Sequence, residues 1–315
     1  MWRRLPTAEF GLMNTIDDVL YRGEQANSKR LPDLSSAETL IVVSDYGGQH
    51  KGSRYESYAF LITDMNTWLS WERRRLTIRK AFRVGNRRIS YKSLNDRRKR
   101  DAVGSFLDAA DTLSGVCMVF VVDRKIESLF RENRRIDMQD EVLQPYQSYA
   151  PADFERLLRI VHFMSFIISG LSHPGQNILW FTDQDNIAAN EDRVRMLTAI
   201  WGNILSNYVK HDFGQLRCGT TNCDNGSLQI EDLATIADLA AGATSEMATL
   251  YSVEDTMPRS AIVVQPMPTK ISSKARYILR WLSRADVSLK RRLLLIDSVS
   301  QSIELRVNEL CLHGG

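Results

Sequence analysis

The sequence predicts an α/β fold in which helices flank a mixed sheet. Three apolar runs rich in β-branched residues, each ending in aspartate, are typical of buried strands, and they occupy residues 39–45, 116–123 and 177–185. Stretches between them place apolar residues three and four positions apart, as amphipathic helices do. A chain of 315 residues that is 43% hydrophobic is long enough to bury a large core.

The first part of the chain predicts an arm followed by a hairpin. Residues 1–37 are polar and contain proline and glycine, so we expect a lead-in arm with one short helix. The apolar run 39–45 ends at the turn residues 46–48, and the run 57–63 is its natural antiparallel partner. This hairpin opens the predicted main domain, residues 38–256.

The remaining elements follow in order along the chain. The predicted helices of the middle region span residues 66–82, 96–113, 154–169 and 192–208. Residues 87–92 predict a short edge strand, and residues 214–226 predict a turn-rich loop. His162 lies on an apolar helix and is expected to be a core or capping histidine instead of a metal ligand. Basic and apolar residues are interspersed through residues 274–312, so we expect residues 257–315 to form a basic helical extension that packs on the domain.

Composition argues against several classes of protein. The sequence has no run of about eighteen apolar residues, and its start lacks the continuous apolar stretch of a secretion signal. Four irregularly spaced cysteines do not suggest a disulfide framework. We therefore expect a cytoplasmic protein with no membrane partner. Motifs of nucleoside-triphosphate hydrolases, serine hydrolases and zinc proteases are absent from the sequence.

Charge is concentrated in one segment. Residues 73–100 contain thirteen Lys or Arg and one acid, so the segment carries +12, and because the whole chain carries +3 the remainder carries −9. Such a layout is expected of a protein that binds a polyanion, and the interleaved Trp71, Phe82 and Tyr91 could stack on bases. The alternatives are a solvated face or an interface with an acidic partner. The predicted nucleic-acid-binding residues are Arg87, Arg88, Lys92, Arg97 and Arg98.

An acid interrupts a helix of small and apolar residues near the end of the predicted domain. Helical spacing over residues 228–243 places Glu231, Ala234 and Asp238 on one stripe. Small residues allow such a helix to lie close against a sheet. A carboxylate held there is costly unless it is paired with a cation or binds a metal ion.

Acids from two predicted strand ends and from this helix could lie close together in the fold. Asp45 ends one predicted strand, Asp183 and Asp185 end another, and Asp238 lies on the helix. Taken singly, an aspartate after a strand more often caps a turn. Together, these carboxylates favour a site for two Mg²⁺ or Mn²⁺ ions, because such ions prefer hard oxygen ligands and support phosphodiester chemistry.

The sequence resembles a large bacterial family with a ribonuclease H-like fold, and the resemblance covers roughly residues 40–243. The matching motifs are Ser44-Asp45-Tyr46-Gly47, Val119-Phe-Val-Val-Asp-Arg-Lys125, Leu179-Trp-Phe-Thr-Asp183, Leu228-Gln-Ile230 and Ile236-Ala-Asp-Leu-Ala-Ala-Gly242. That family opens with an Asp-Glu-Ser-Gly turn and closes with a Gln-Leu-Ala-Asp-Leu-Ile-Ala-Gly helix. The resemblance implies a two-metal nuclease in which Asp45, Asp183 and Asp238 are the catalytic ligands and Asp185 is a possible fourth. It also suggests a setting in phage defence or mobile elements.

The sequence departs from the family pattern at three places. Tyr46-Gly47 replaces the Glu-Ser pair after the first acid, and Ser90-Tyr91 precede Lys92 where the family often has an acid. Residues 231–235 lengthen the closing motif, so Asp232 competes with Asp238 for the ligand role. These departures leave two hypotheses open. One is a metal-dependent nuclease acting on RNA or DNA, and the other is a non-catalytic module that binds nucleic acid or a partner protein. A protein partner or a second copy could use the C-terminal helices.

Overall fold

The computed structural model describes residues 2–130, 136–257, 262–265, 267–298 and 305–312. Within them, the strands are β1 (Thr39–Gly47), β2 (Tyr55–Asp64), β3 (Gly115–Asp123), β4 (Asn177–Thr182), β5 (Leu216–Thr220), β6 (Ile262–Gln265), β7 (Leu289–Ser298) and β8 (Leu305–Leu312). The α-helices are α1 (Leu12–Ala26), α2 (Trp68–Ala81), α3 (Arg97–Ala110), α4 (Pro151–Leu171), α5 (Glu191–Tyr208), α6 (Gln229–Val253) and α7 (Ser273–Leu282). The eight strands form one mixed sheet in the order β5-β4-β1-β2-β3-β7-β8-β6.

Strand directions bring several strand ends to one edge of this sheet. β1 is antiparallel to β2 and parallel to β4, and β2 is antiparallel to β3. β7 is parallel to β3. The carboxyl ends of β1, β3, β4 and β7 therefore lie at the same edge. In α/β sheets this edge is where ligands bind.

Helices cover both faces of the sheet. Along β1, Leu40 and Val42 belong to a core shared with α1, α4 and α5. Ile41 and Val43 point to the other face and belong to a second core shared with α2, α3, α6 and α7. This alternation is the period-two pattern of a strand buried on both sides. The α/β class and the sheet flanked by helices are therefore confirmed.

Helix α6 lies unusually close to the end of β1. Its alanines Ala237, Ala240 and Ala241 are buried in the same core as Ile41 and Val43 of β1. On the strand side, a Cβ added to Gly47 would lie 2.8 Å from the carbonyl oxygen of Ala241, so only glycine permits this approach. The small residues on both elements thus set the distance between the helix and the edge of the sheet.

Two of the local predictions are wrong. Residues 87–92 are not a strand, because their backbone groups bind side chains instead of a neighbouring strand: the Ile89 carbonyl accepts from Thr235, and the Tyr91 N–H donates to Asp238. Residues 214–226 contain β5, which pairs with β4 at the edge of the sheet. The turn-forming residues on either side of β5 predict a loop, so the sequence pattern does not indicate this short strand.

The predicted basic helical extension is also wrong beyond α7. Residues 289–298 form β7, which pairs with β3 inside the sheet, and residues 305–312 form β8. The run Leu293 to Ile296 is buried on both faces, which is how an interior strand behaves. The preceding Arg291 and Arg292 imitate the charged face of an amphipathic helix, but each reaches a carboxylate, on Asp111 and Glu309 respectively.

His162 is a core histidine, as the sequence predicts. Its ring stacks on Phe130 with centroids 4.1 Å apart, and its Nδ1 lies 2.8 Å from the hydroxyl of Tyr208. Burial lowers the pKa of His162 to about 4. The folded protein therefore holds this ring in its neutral form at neutral pH.

We predict that stability falls with acidification partly through His162. Below about pH 6.5 the unfolded chain binds a proton at this histidine, while the folded chain does not until about pH 4. The loss across that window is on the order of 3 kcal/mol. Urea unfolding of the wild type and of His162→Gln should show a shallower pH dependence for the variant. Equal slopes for the two proteins between pH 7 and pH 4.5 would contradict the prediction.

Candidate functional site

All four predicted ligand carboxylates, Asp45, Asp183, Asp185 and Asp238, line one cleft. Ser44 on β1 is the parallel partner of Thr182 on β4, so the next residues, Asp45 within β1 and Asp183 directly after β4, lie side by side. Helix α6 brings Asp238 to the same cleft, which has a volume of about 720 Å³. The side chains that the sequence predicts to converge therefore do so at the carboxyl edge of the sheet.

Asp232 lies outside this cleft and has a different role. It is fully buried and accepts hydrogen bonds from Arg75 Nη1 at 3.0 Å and from Arg79 Nε at 2.6 Å. Both arginines belong to α2, and both are buried. Asp232 therefore ties α6 to α2. Of the two acids that competed for the ligand position, it is Asp238 that faces the cleft.

The guanidinium of Arg88 lies among the cleft carboxylates. Its Nε is 2.9 Å from Glu231, and its two terminal nitrogens are each 3.3 Å from an oxygen of Asp183. Asp45 is 3.8 Å away. Burial lowers the pKa of Arg88, but the negative charges of Asp183, Glu231 and Asp45 outweigh burial and raise it.

Glu231 is a site residue that the sequence-based prediction missed. It lies seven residues before Asp238 on α6, which is two helical turns, so both carboxylates project from one side of the helix. The shared stripe was visible in the sequence. What the sequence could not reveal is that Arg88 would reach Glu231 from a distant, irregular segment.

The carboxylates of the cleft are crowded and poorly solvated. Burial raises the pKa of Asp45 well above its usual range, and the charges of Asp238 and Asp183 raise it further. Burial also raises the pKa of Asp238, against the opposing effect of the Tyr91 N–H that donates to it. Negative charge is thus held close together with only partial compensation, which is the environment of a cation site.

Asp185 is engaged differently from the other acids. Its Oδ2 accepts from Arg156 at 2.7 Å, and its Oδ1 accepts from the Ile187 N–H at 3.0 Å. Both oxygens are therefore occupied by protein donors, which favours a role in holding Arg156 at the cleft. The same Arg156 lies over the Tyr46 ring, 4.9 Å from its centroid.

The far end of the cleft is closed by Tyr91. Its ring lies against Gly242, where any Cβ would overlap the ring, and Lys274 sits 4.2 Å from the ring centroid on α7. The Tyr91 hydroxyl donates to Glu246 at 2.5 Å. Glycine in the closing motif therefore accommodates an aromatic residue that also donates its backbone N–H to Asp238.

The basic segment separates into structural and exposed arginines. Arg75 and Arg79 are buried against Asp232, whereas the predicted nucleic-acid-binding residues Arg87, Lys92, Arg97 and Arg98 are exposed. The stacking hypothesis is wrong for Trp71, which is fully buried and packs edge-on against Phe106. Tyr91 is sandwiched between Gly242 and Lys274, so its faces are also occupied.

The chemistry of these side chains fits Mg²⁺ or Mn²⁺. The hard oxygen ligands that these ions prefer are offered by Asp45, Asp183, Asp238 and Glu231. These carboxylates together carry more negative charge than the single positive charge of Arg88 can compensate. As the side chains lie, the described part of the chain holds no group of three or more His, Cys, Asp or Glu arranged to bind an ion. Arg88 stands among the oxygens, so an ion can bind them only if its guanidinium moves aside.

Comparison with other proteins adds no relative. No protein-family model matches the chain, and no curated protein gives a significant match in sequence. Among the described residues, no helix is both long and apolar enough to cross a membrane.

We predict that Asp232→Asn and Asp238→Asn have different effects on stability. Asp232→Asn leaves two buried guanidiniums without their shared carboxylate, so it should cost about 3 kcal/mol or more. Asp238→Asn keeps an oxygen for the Tyr91 N–H and removes a poorly solvated charge, so stability should change little or rise. Chemical denaturation of both variants measures this difference. Equal destabilisation would contradict the separate roles of the two acids.

We also predict that Asp45→Asn stabilises the protein at neutral pH. The unfolded chain ionises Asp45 near pH 3.9, but the folded chain does so only at higher pH. The folded state therefore binds more protons in this window and loses stability as pH rises through it. At about pH 7 the variant should be more stable by on the order of 1 kcal/mol, and the gap should shrink towards pH 4. Urea unfolding at several pH values tests this, and a variant less stable than wild type at pH 7 would refute it.

Proposed function

We propose that this chain is a ribonuclease H-like, divalent-metal-dependent nuclease that cleaves RNA or DNA. One observation carries the proposal: Asp45, Asp183 and Asp238 come from three separate elements and line one cleft. Carboxylates brought together in this way lower the stability of the folded protein. A metal site is the function that best accounts for their being kept together.

The strand arrangement supports the ribonuclease H-like part of the proposal. The part of the sheet ordered β5-β4-β1-β2-β3 has β2 alone running against the others. This order and direction are typical of ribonuclease H-like folds. Asp45 lies on the central strand, Asp183 follows the adjacent parallel strand, and Asp238 lies on the helix that comes after β5.

In this proposal the carboxylates hold the ions and the arginines hold the substrate. Asp45, Asp183 and Asp238 are the proposed ligands, with Glu231 as a further candidate. The ions, when bound, supply activation of water and stabilisation of the leaving oxygen in an in-line displacement. Exposed Arg and Lys side chains of residues 87–98 contact the phosphate backbone, so binding should weaken steeply as salt concentration rises.

The second candidate is a non-catalytic module that binds nucleic acid. Arg88 favours it, because a guanidinium already compensates part of the charge of Asp183 and Glu231. The Tyr46-Gly47 pair also lacks the acid found in the resembled family. A setting in phage defence or mobile elements is proposed from that resemblance alone. The proposed partner surface of C-terminal helices is reduced to α7 among the described residues of the extension, because residues 289–298 and 305–312 are strands.

We predict that the purified protein cleaves labelled RNA or DNA in Mg²⁺ or Mn²⁺. Asp45→Asn and Asp238→Asn should each lower the rate by at least about 100-fold, since each removes a proposed ligand. Asp212→Asn, which changes an exposed acid away from the cleft, is the matched control and should retain the wild-type rate. Cleavage that survives both cleft substitutions would refute the site. Binding of nucleic acid without cleavage of any substrate would support the non-catalytic module.

A further inference from the structure

Arg88 connects carboxylates from three parts of the fold, and these carboxylates would otherwise repel one another. Its side chain contacts Asp45 on β1, Asp183 after β4 and Glu231 on α6. Asp238 adds a fourth carboxylate, whose pKa the charge of Arg88 lowers against the effect of burial. A single positive charge thus faces several negative charges, so it compensates them only in part. A divalent cation therefore competes with Arg88 for the same carboxylate oxygens.

The backbone around Arg88 is anchored, but its side chain is not enclosed. Ile89 is fully buried and its carbonyl accepts from Thr235 at 2.8 Å, while the Arg87 carbonyl accepts from Arg79 at 3.2 Å. The side chain of Arg88 nevertheless remains 37% exposed at the cleft. Its guanidinium can therefore turn from the carboxylates towards the open cleft while the backbone stays in place.

We propose that Arg88 is a displaceable internal counter-ion that couples metal binding to nucleic-acid binding. Release of Arg88 from Asp45 and Asp183 frees their oxygens for a divalent ion and frees the guanidinium for a phosphodiester. The planar guanidinium suits the second task, because it binds phosphate oxygens in a bidentate manner. The inference rests on the proposed metal-dependent function, but it makes a separate claim about affinity.

Coupling of this kind has opposite consequences for the two ligands. Without Arg88, the ion no longer has to displace a guanidinium, so the metal binds more tightly. The nucleic acid loses a contact that becomes available only after the ion binds, so its metal-dependent affinity falls. A residue with a purely structural role would not shift the two affinities in opposite directions.

The first measurement is calorimetric titration of the wild type, Arg88→Gln and Arg195→Gln with Mn²⁺ alone. Arg88→Gln should bind Mn²⁺ about tenfold more tightly than the wild type. Arg195→Gln is the matched control, because Arg195 is an exposed arginine that pairs with Asp192 outside the cleft, so this variant should leave Mn²⁺ affinity unchanged. Circular dichroism and thermal unfolding check that each variant is folded.

The second measurement is binding of a fluorescent single-stranded oligonucleotide, with Ca²⁺ or with a chelator. The wild type should bind more tightly in Ca²⁺, and Arg88→Gln should lose most of that gain. Arg88→Lys keeps a charge without the planar fork, so it should keep part of the gain and serves as the conservative variant.

The outcomes distinguish this inference from the proposed function. If the wild type binds Mn²⁺ and cleaves nucleic acid but Arg88→Gln binds Mn²⁺ no more tightly, the counter-ion role is refuted and the nuclease stands. If neither the wild type nor Arg88→Gln binds Mn²⁺, both proposals are refuted. Tighter Mn²⁺ binding together with weaker Ca²⁺-dependent oligonucleotide binding in Arg88→Gln establishes the coupling.

Discussion

The close contact between α6 and the end of β1 is the constraint on which the site depends. Gly47 and the alanines of α6 remove the side chains that would hold the helix away from the sheet. The start of the helix is fixed by Asp224, whose carboxylate accepts from the backbone N–H groups of Gln229, Ile230 and Glu231. Asp232 then ties the first turn to α2. Asp238 is therefore held beside Asp45 by packing and by capping, with little freedom to move away.

Acids with similar sequence contexts have opposite roles in this helix. Asp232 and Asp238 are six residues apart, yet one meets two buried arginines and the other meets carboxylates and a backbone N–H. In the first arrangement charge is matched, because Asp232 and Glu72 together pair with Arg75 and Arg79. The second opposes folding, because charge is concentrated and poorly solvated. Proteins accept such cost at functional sites, and this contrast is the reason that Asp238, and not Asp232, belongs to the proposed site.

The sequence predicts an element correctly wherever a periodic pattern of apolar residues coincides with burial. It located the apolar strands and the convergence of Asp45, Asp183 and Asp238, because strand ends and a helix stripe can be read from spacing. It failed for residues 87–92 and for the C-terminal strands, since side-chain acceptors and sheet neighbours come from distant parts of the chain. Arg88 could be predicted as basic and exposed, but not as the partner of Glu231, since that contact exists only after folding.

The position of β7 has a consequence for how the chain folds. β3 is buried along its whole length, and its outer edge is completed only by β7, a strand encoded far downstream. Until that strand arrives, a long apolar edge with unpaired backbone groups stays open, which is a template for pairing with other chains. Such a distant pairing also raises contact order and slows folding. The C-terminal segment therefore completes the sheet, and a chain shortened before β7 would leave the edge of β3 open to pairing with other chains.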